Sequence, residues 1–189
     1  MNLSKYIKQI RGVSYKPNDV LSFSMEGYIP LLRANNINDG KINFDNLLYV
    51  KEEKVKENQI LKKGDILVCA SSGSRYLVGK AATFDNDFRC TFGAFCKVIR
   101  ANNINDKYLS VLFQSDYYRK NISQNSRGAN INNLKQEDFD NLLINVPTVA
   151  EQEKIAVKIN KIIDLIGYKK NQIELMNQLI KSQFVREVY

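Results

Sequence analysis

Residues 147–189 read PTVAEQEKIAVKINKIIDLIGYKKNQIELMNQLIKSQFVREVY, and the rhythm of this stretch decides how the chain is organised. Ile155, Ile159, Ile162, Ile166, Ile173, Met176 and Ile180 recur in alternating steps of four and three, with one step of seven across Lys169. In heptad terms Ile159, Ile166, Ile173 and Ile180 fall at a, and Ile155, Ile162, Lys169, Met176 and Gln183 at d. That is a coiled-coil seam with two polar interruptions. Ile163, Leu165, Leu179 and Phe184 widen it to neighbouring positions, so more than one surface is expected to be covered, including contact with a partner subunit. About 38 helical residues span roughly 57 Å at 1.5 Å per residue. One globule of this size cannot cover such a rod, and a lone amphipathic helix would leave its seam wet. A homodimer through this helix is therefore expected, in preference to a helix folded back on its own domain. Glu151 and Glu153 at one end and Lys181 and Arg186 near the other suit an antiparallel pair, and each suits its own helix dipole. Lys154 and Lys158 weaken that orientation.

Upstream the rhythm changes. Pro147 ends what precedes it, and Thr148 can cap the helix with Glu151 three positions on. Two domains are expected, 1–148 and 149–189. In the first, Gly, Asn, Asp and Pro interrupt short β-prone runs. Tyr28–Arg33 reads as a strand that Pro30 pushes toward a sheet edge. Asn38-Asp39-Gly40 is a tight turn into Lys41-Ile42, and Leu61–Asp65 turns into a strand Ile66–Ala70. Further strands are expected at Val78–Thr83, Phe95–Ile99 and Leu142–Val146. Asp106 can cap one helix running to Lys120, with Leu109, Leu112, Phe113 and Tyr117 on one side, and Leu134–Phe139 reads as a short helix. The fold class expected is α+β: a curled mixed β-sheet domain followed by one long C-terminal coiled-coil helix. RANNIND at Arg33–Asp39 and again at Arg100–Asp106 has unmatched flanks and is read as coincidence.

The formal net charge is +8, from 28 Lys+Arg against 20 Asp+Glu, which points first to nucleic acid as a partner. The 1–148 region carries 21 basic against 15 acidic residues and the helix 7 against 5, so the attraction to phosphate sits mainly on the domain. With no His, the Ser-His-Asp and Cys-His mechanisms and His-ligated zinc are excluded. Cys69, Cys90 and Cys96 match no zinc spacing, and their odd number argues against a disulfide framework; reduced, part-buried thiols are expected. No signal peptide or membrane-spanning run is read, so a cytoplasmic protein without membrane contact is expected. No phosphate-cradling loop occurs, and no cofactor or metal is expected. Asp45, Glu52 and Lys54 could be imagined as a nuclease set, but Glu52-Glu53-Lys54 reads as a solvated loop.

Pro147-x-x-x-Glu151-Gln152-x-x-Ile155 resembles the segment that opens the conserved helix of specificity subunits of type I restriction–modification enzymes. The upstream order is similar too. Ile29–Ile37 precedes the GDIL run at Gly64–Leu67. Ser71–Ser74, Gly79-Lys80, the YLSVLFQS pattern, Gly128–Ile131 and LLINVP at Leu142–Pro147 follow in turn. The resemblance covers nearly the whole chain. It implies a target recognition domain that reads one half of a split double-stranded DNA site, and a helix that sets the distance to a second such domain. It further implies DNA methyltransferase subunits as partners, with restriction and translocase subunits beyond them, and no catalysis by this chain. A full specificity subunit has two domain-plus-helix halves and this chain carries one. A half subunit pairing with its own copy would prefer a palindromic site with a spacer. A fragment of a longer protein, an autonomous dimeric DNA-binding regulator, a structural coiled-coil adaptor and the specificity subunit of a related type II enzyme are the alternatives. Arg pairs with guanine and Asn with adenine through two hydrogen bonds each. The candidates for DNA contact are loop residues beside strands: Arg33, Asn35, Asn36, Ser72, Ser74, Arg75, Lys80, Arg89, Arg127 and Asn130. Each also has a plainer role available as turn, cap, ion pair or solvated surface.

Overall fold

The computed structural model describes residues 1–74, 76–125 and 132–188. Its strands are β1 (Ile7–Arg11), β2 (Val20–Leu21), β3 (Tyr28–Leu32), β4 (Ile37–Asn38), β5 (Lys41–Ile42), β6 (Leu48–Lys51), β7 (Ile66–Cys69), β8 (Ser71–Ser72), β9 (Ala81–Thr83), β10 (Thr91–Phe92), β11 (Cys96–Ala101) and β12 (Asn132–Asn133). The helices are α1 (Asp106–Gln114), α2 (Asp116–Asn125), α3 (Gln136–Asp140) and α4 (Val149–Val188). An antiparallel sheet runs β1-β11-β7-β9, and a mixed sheet runs β10-β3-β6-β2, with β10 parallel to β3. The class is α+β with mixed strands and a long C-terminal helix.

The first sheet is buried on both faces, which is why β7 reads as an unbroken apolar run. Ile66 and Val68 face a core shared with Leu109 and Phe113 of α1, Tyr118 of α2 and Phe139 of α3. Leu67 and Cys69 face the other way, onto Leu32, Phe92 and Val98 between the sheets. The turn into β7 needs Gly64: its φ is +88°, and an added Cβ would lie 2.4 Å from an Asp106 carboxylate oxygen. Asp65, next to it, is 2% exposed and receives two 2.7 Å bonds from Arg100 of β11.

Several elements differ from the sequence reading. Pro30 does not put β3 at an edge. β3 is interior, but β10 pairs only with Leu31 and Leu32, so Pro30 falls outside that ladder. The helix expected from Asp106 to Lys120 breaks at Ser115, whose hydroxyl accepts from the Tyr118 N–H at 3.2 Å and starts α2. The break turns Tyr118 into the core and leaves Tyr117 at 44% exposure. Asn105, not Asp106, caps α1 by accepting from the Tyr108 N–H. Val78 lies in a turn before β9, and the 142–146 segment forms no strand but one isolated bridge, Leu143 to Asn2. The two RANNIND copies diverge after their arginines: Ala34–Asn36 is a 3₁₀ turn, whereas Arg100 and Ala101 lie in β11. Asp39 (φ 46°) and Gly40 (φ 75°) make the expected β4–β5 hairpin.

At the start of α4 the Thr148 N–H and hydroxyl both donate to the Glu151 carboxylate, at 3.0 and 2.7 Å, and hold its carboxyl below the usual range. Gln152, 2% exposed, receives the Asn105 N–H at 2.8 Å and donates to the Pro147 carbonyl at 2.9 Å. The Glu-Gln pair therefore has two jobs: Glu151 closes the helix end and Gln152 fastens α4 to the cap of α1. Gln152→Ala strands a part-buried N–H and carbonyl, and should cost about 1–3 kcal/mol of unfolding free energy in a urea titration. A cost under about 0.5 kcal/mol would mean that water replaces both bonds.

Candidate nucleic-acid interface

A concavity of about 470 Å³ opens between the end of β3, β8 and the segment before β11, lined by Tyr15, Arg33, Asn35, Ser72, Gly73 and Phe95 among others. Its walls are fixed by Asn36. That amide oxygen accepts from the Arg33 N–H at 2.9 Å, and its NH₂ donates to the Asn43 and Asp45 carbonyls. Arg33 donates to the Asn46 carbonyl at 3.0 Å, while its Nε is buried without a partner among the described residues. Asn35 is exposed on the same turn. Across the opening, β8 pairs with β12, Ser72 opposite Asn132, and the Ser72 hydroxyl accepts from the Ser74 N–H at 3.1 Å. Phe95 stands 69% exposed at the rim. A guanidinium, an amide, hydroxyls and an aromatic face thus converge on one opening, the donor and acceptor types that read base edges.

Of the candidate residues, Arg33, Asn35 and Ser72 line this opening together, and Ser74 is bonded to Ser72. Asn36 does not face outward: it is 1% exposed and its amide is spent on the turn. Arg89 is held by Glu52 at 2.8 Å and lies 3.8 Å from Glu57, an ion-paired role on the surface. Lys80 lines a separate concavity of about 340 Å³ with Asp39, Gln114 and Arg119. Arg75, Arg127 and Asn130 lie outside the described residues. Tyr15, Ser71 and Phe95 were missed, because nothing in a linear sequence says that these three separate segments meet at one opening. Two members of the imagined nuclease set are engaged with other charges: Glu52 pairs with Arg89, and Lys54 lies 3.9 Å from Asp19. All three cysteines are buried, and desolvation pushes Cys90 and Cys96 up to about 12, so their reactive thiolate form is suppressed.

The long helix rests on the domain through Gln152 and Ala156, both buried, and through half-buried Ile159, Asn160, Ile163 and Gly167. Beyond Gly167 the described side chains are exposed except Gln172, so roughly 30 Å of helix stands clear. Ile155 is 38%, Ile162 47%, Ile166 51%, Ile173 58%, Met176 55% and Ile180 65% exposed, whereas Ile159 is half-covered by its own domain. A second row, Leu165, Tyr168, Leu175 and Leu179, lies roughly 120° round the helix and is also exposed.

The family described as type I restriction modification DNA specificity domain matches residues 7–176. The chain belongs to that family. It is 40% identical over 173 residues to the type I restriction enzyme StySPI specificity subunit of Salmonella potsdam, and equally to the EcoKI specificity subunit of Escherichia coli strain K12. Each match covers 91% of this chain and 37% of the relative. The chain therefore spans little more than a third of the length of these curated relatives. The fold agrees with solved structures of low identity. The HsdS subunit from Thermoanaerobacter tengcongensis superposes with a TM-score of 0.64 at 15% identity, over 88% of this chain and 37% of that one. The S subunit from M. genitalium gives 0.58 at 15% identity, over 87% and 38%. Within this specificity family, the Glu151-Gln152 segment gains a physical meaning as the joint between domain and helix.

Proposed function

We propose that the chain recognises one half of a split double-stranded DNA site and delivers that choice to the DNA methyltransferase subunits of a type I restriction–modification enzyme. Restriction and translocase subunits are further partners in this reading, and the chain does no chemistry itself. Such work is done in the cytoplasm, where the DNA lies. The observation that carries the reading is the 40% identity to specificity subunits along 91% of the chain. The polar opening around Arg33 and Asn35 supports it, because the fold brings both to one concavity with Ser72.

The 1–148 domain reads, and the helix from 149 onward spaces and docks. The exposed isoleucine seam supports pairing with a second copy, which would place two identical readers on a palindromic, interrupted site. The Leu165–Leu179 row supports a separate contact with methyltransferase subunits. Base readout is assigned to Arg33, Asn35 and Ser72, with Ser74 in support and Lys80 as an outlying phosphate contact.

Selection of duplexes from a random pool by the chain assembled with its methyltransferase tests this. Enrichment of a defined sequence is expected, and Arg33→Ala should relax preference at one position by about 1–3 kcal/mol. A structural adaptor would enrich nothing. An autonomous regulator would bind its site as tightly without the methyltransferase.

A further inference from the structure

Beside the reading concavity lies another, about 590 Å³, between β1, β11 and the start of α3. Cations from three places line it: Arg11 at the end of β1, Lys97 in β11 and Lys135 just before α3. Arg11 and Lys97 are direct partners in the antiparallel β1–β11 ladder. Opposed residues in such a ladder point to the same face, where like charges repel. Among the described residues none of the three forms a salt bridge. Lys97 is half-buried over the Phe139 ring, 5.3 Å from its centroid. Burial, then Arg11, lowers its pKa, while Asp138 and Asp140 act the other way. Glu137 is the acid on the rim. Two cations set face to face with incomplete compensation cost the fold stability, and an arriving anion would recover that cost.

The position of the cluster argues for which anion. Cys96 lines both concavities, and Ala94 of the basic one adjoins Phe95 of the reading one. The Leu134 N–H donates to the Ala70 carbonyl at 2.7 Å, tying the Lys135 side to the strand end that leads into β8. A duplex presenting base edges to Arg33 and Asn35 carries phosphates along both rims of a groove about 12 Å wide. We propose that Arg11, Lys97 and Lys135 form a clamp for the DNA backbone phosphate beside the bases read at Arg33 and Asn35; this rests on the DNA-reading function proposed above.

The test is fluorescence anisotropy of a mixed-sequence duplex of about 30 base pairs with the full chain, across a salt series. The triple variant Arg11→Gln, Lys97→Gln, Lys135→Gln should bind at least about tenfold more weakly, with a salt slope smaller by about 1. Arg11→Gln alone should raise the Tm while weakening DNA binding, an outcome that a purely structural arginine would not give. If Lys97→Gln unfolds the chain, the exposed pair Arg11→Gln and Lys135→Gln keeps the test, with an expected slope decrease of about 1. Wild-type binding with unchanged affinity and slope in the variants overturns the clamp and leaves the DNA-reading function standing. Inorganic phosphate raising the wild-type Tm, with DNA binding unchanged in the triple variant, assigns the site to a free anion and also overturns it. A wild-type chain that binds no duplex even at low salt, alone or assembled with its methyltransferase, counts against both.

Discussion

Asp65→Ala is expected to lower the folding stability by about 3 kcal/mol, a large part of what a domain of this size has. Asp65 is 2% exposed and accepts from Arg100 Nε and Nη2 at 2.7 Å each, and from the Lys62 N–H at 2.7 Å. Its backbone carbonyl also accepts from the Phe84 N–H at 2.8 Å. One carboxylate thus joins the turn before β7 to β11, and so two strands of the central sheet. Removing it leaves the Arg100 guanidinium, among the described residues, bonded only to the Ile60 carbonyl at 2.9 Å. Arg100 is 20% exposed, so water reaches part of the orphaned charge, which keeps the loss at the lower end for a broken buried pair. Asp65→Asn keeps an acceptor and should lose about half as much. The readout is the urea midpoint with an unchanged m value. A loss below about 1 kcal/mol would mean that the pair is no firmer than a surface bridge.

Ile166→Asp with Ile173→Asp is expected to abolish self-association while leaving the Tm of the globular domain where it was. Both side chains are more than half exposed on a single chain, so the substitutions touch no packing within it. In a paired seam they would place four carboxylates among mainly apolar side chains, with Lys169 of each copy the one cation of the seam between them. Each unpaired buried charge costs several kcal/mol, so the dissociation constant should rise at least about a thousandfold. Sedimentation velocity compares the two proteins. The same oligomer in both would remove the isoleucine seam from the dimer. A drop in the domain's Tm would show instead that the seam packs within the chain.

The fold was legible where one residue pattern has one physical solution. The four-three rhythm of isoleucines could only be a long helix, and Asn38-Asp39-Gly40 supplied the two left-handed residues that a two-residue hairpin needs. The unbroken ILVC run of β7 revealed burial but not its partners. What stayed hidden depended on contacts distant in the sequence. Nothing in the 106–120 stretch announces that Ser115 will break the helix and turn in Tyr118 rather than Tyr117. Nor could Pro30 reveal that its neighbouring strand would be short enough to miss it. The same limit applies to the candidate interface. Arg33 and Asn35 meet Ser72, distant in the sequence, at one opening, but Asn36 beside them is the buried brace that shapes it. Arg11 and Lys97 went unnoticed because only strand register makes them neighbours.

The proposal that two copies of one reader face a split site is tested most directly by the DNA itself. Co-expression with the DNA methyltransferase subunits, followed by sequencing of methylated positions across a genome, reports the site without assumptions about the protein. The expected result is two identical half-sites in inverted orientation, separated by a gap of fixed length. Two different half-sites, or one uninterrupted sequence, would contradict it.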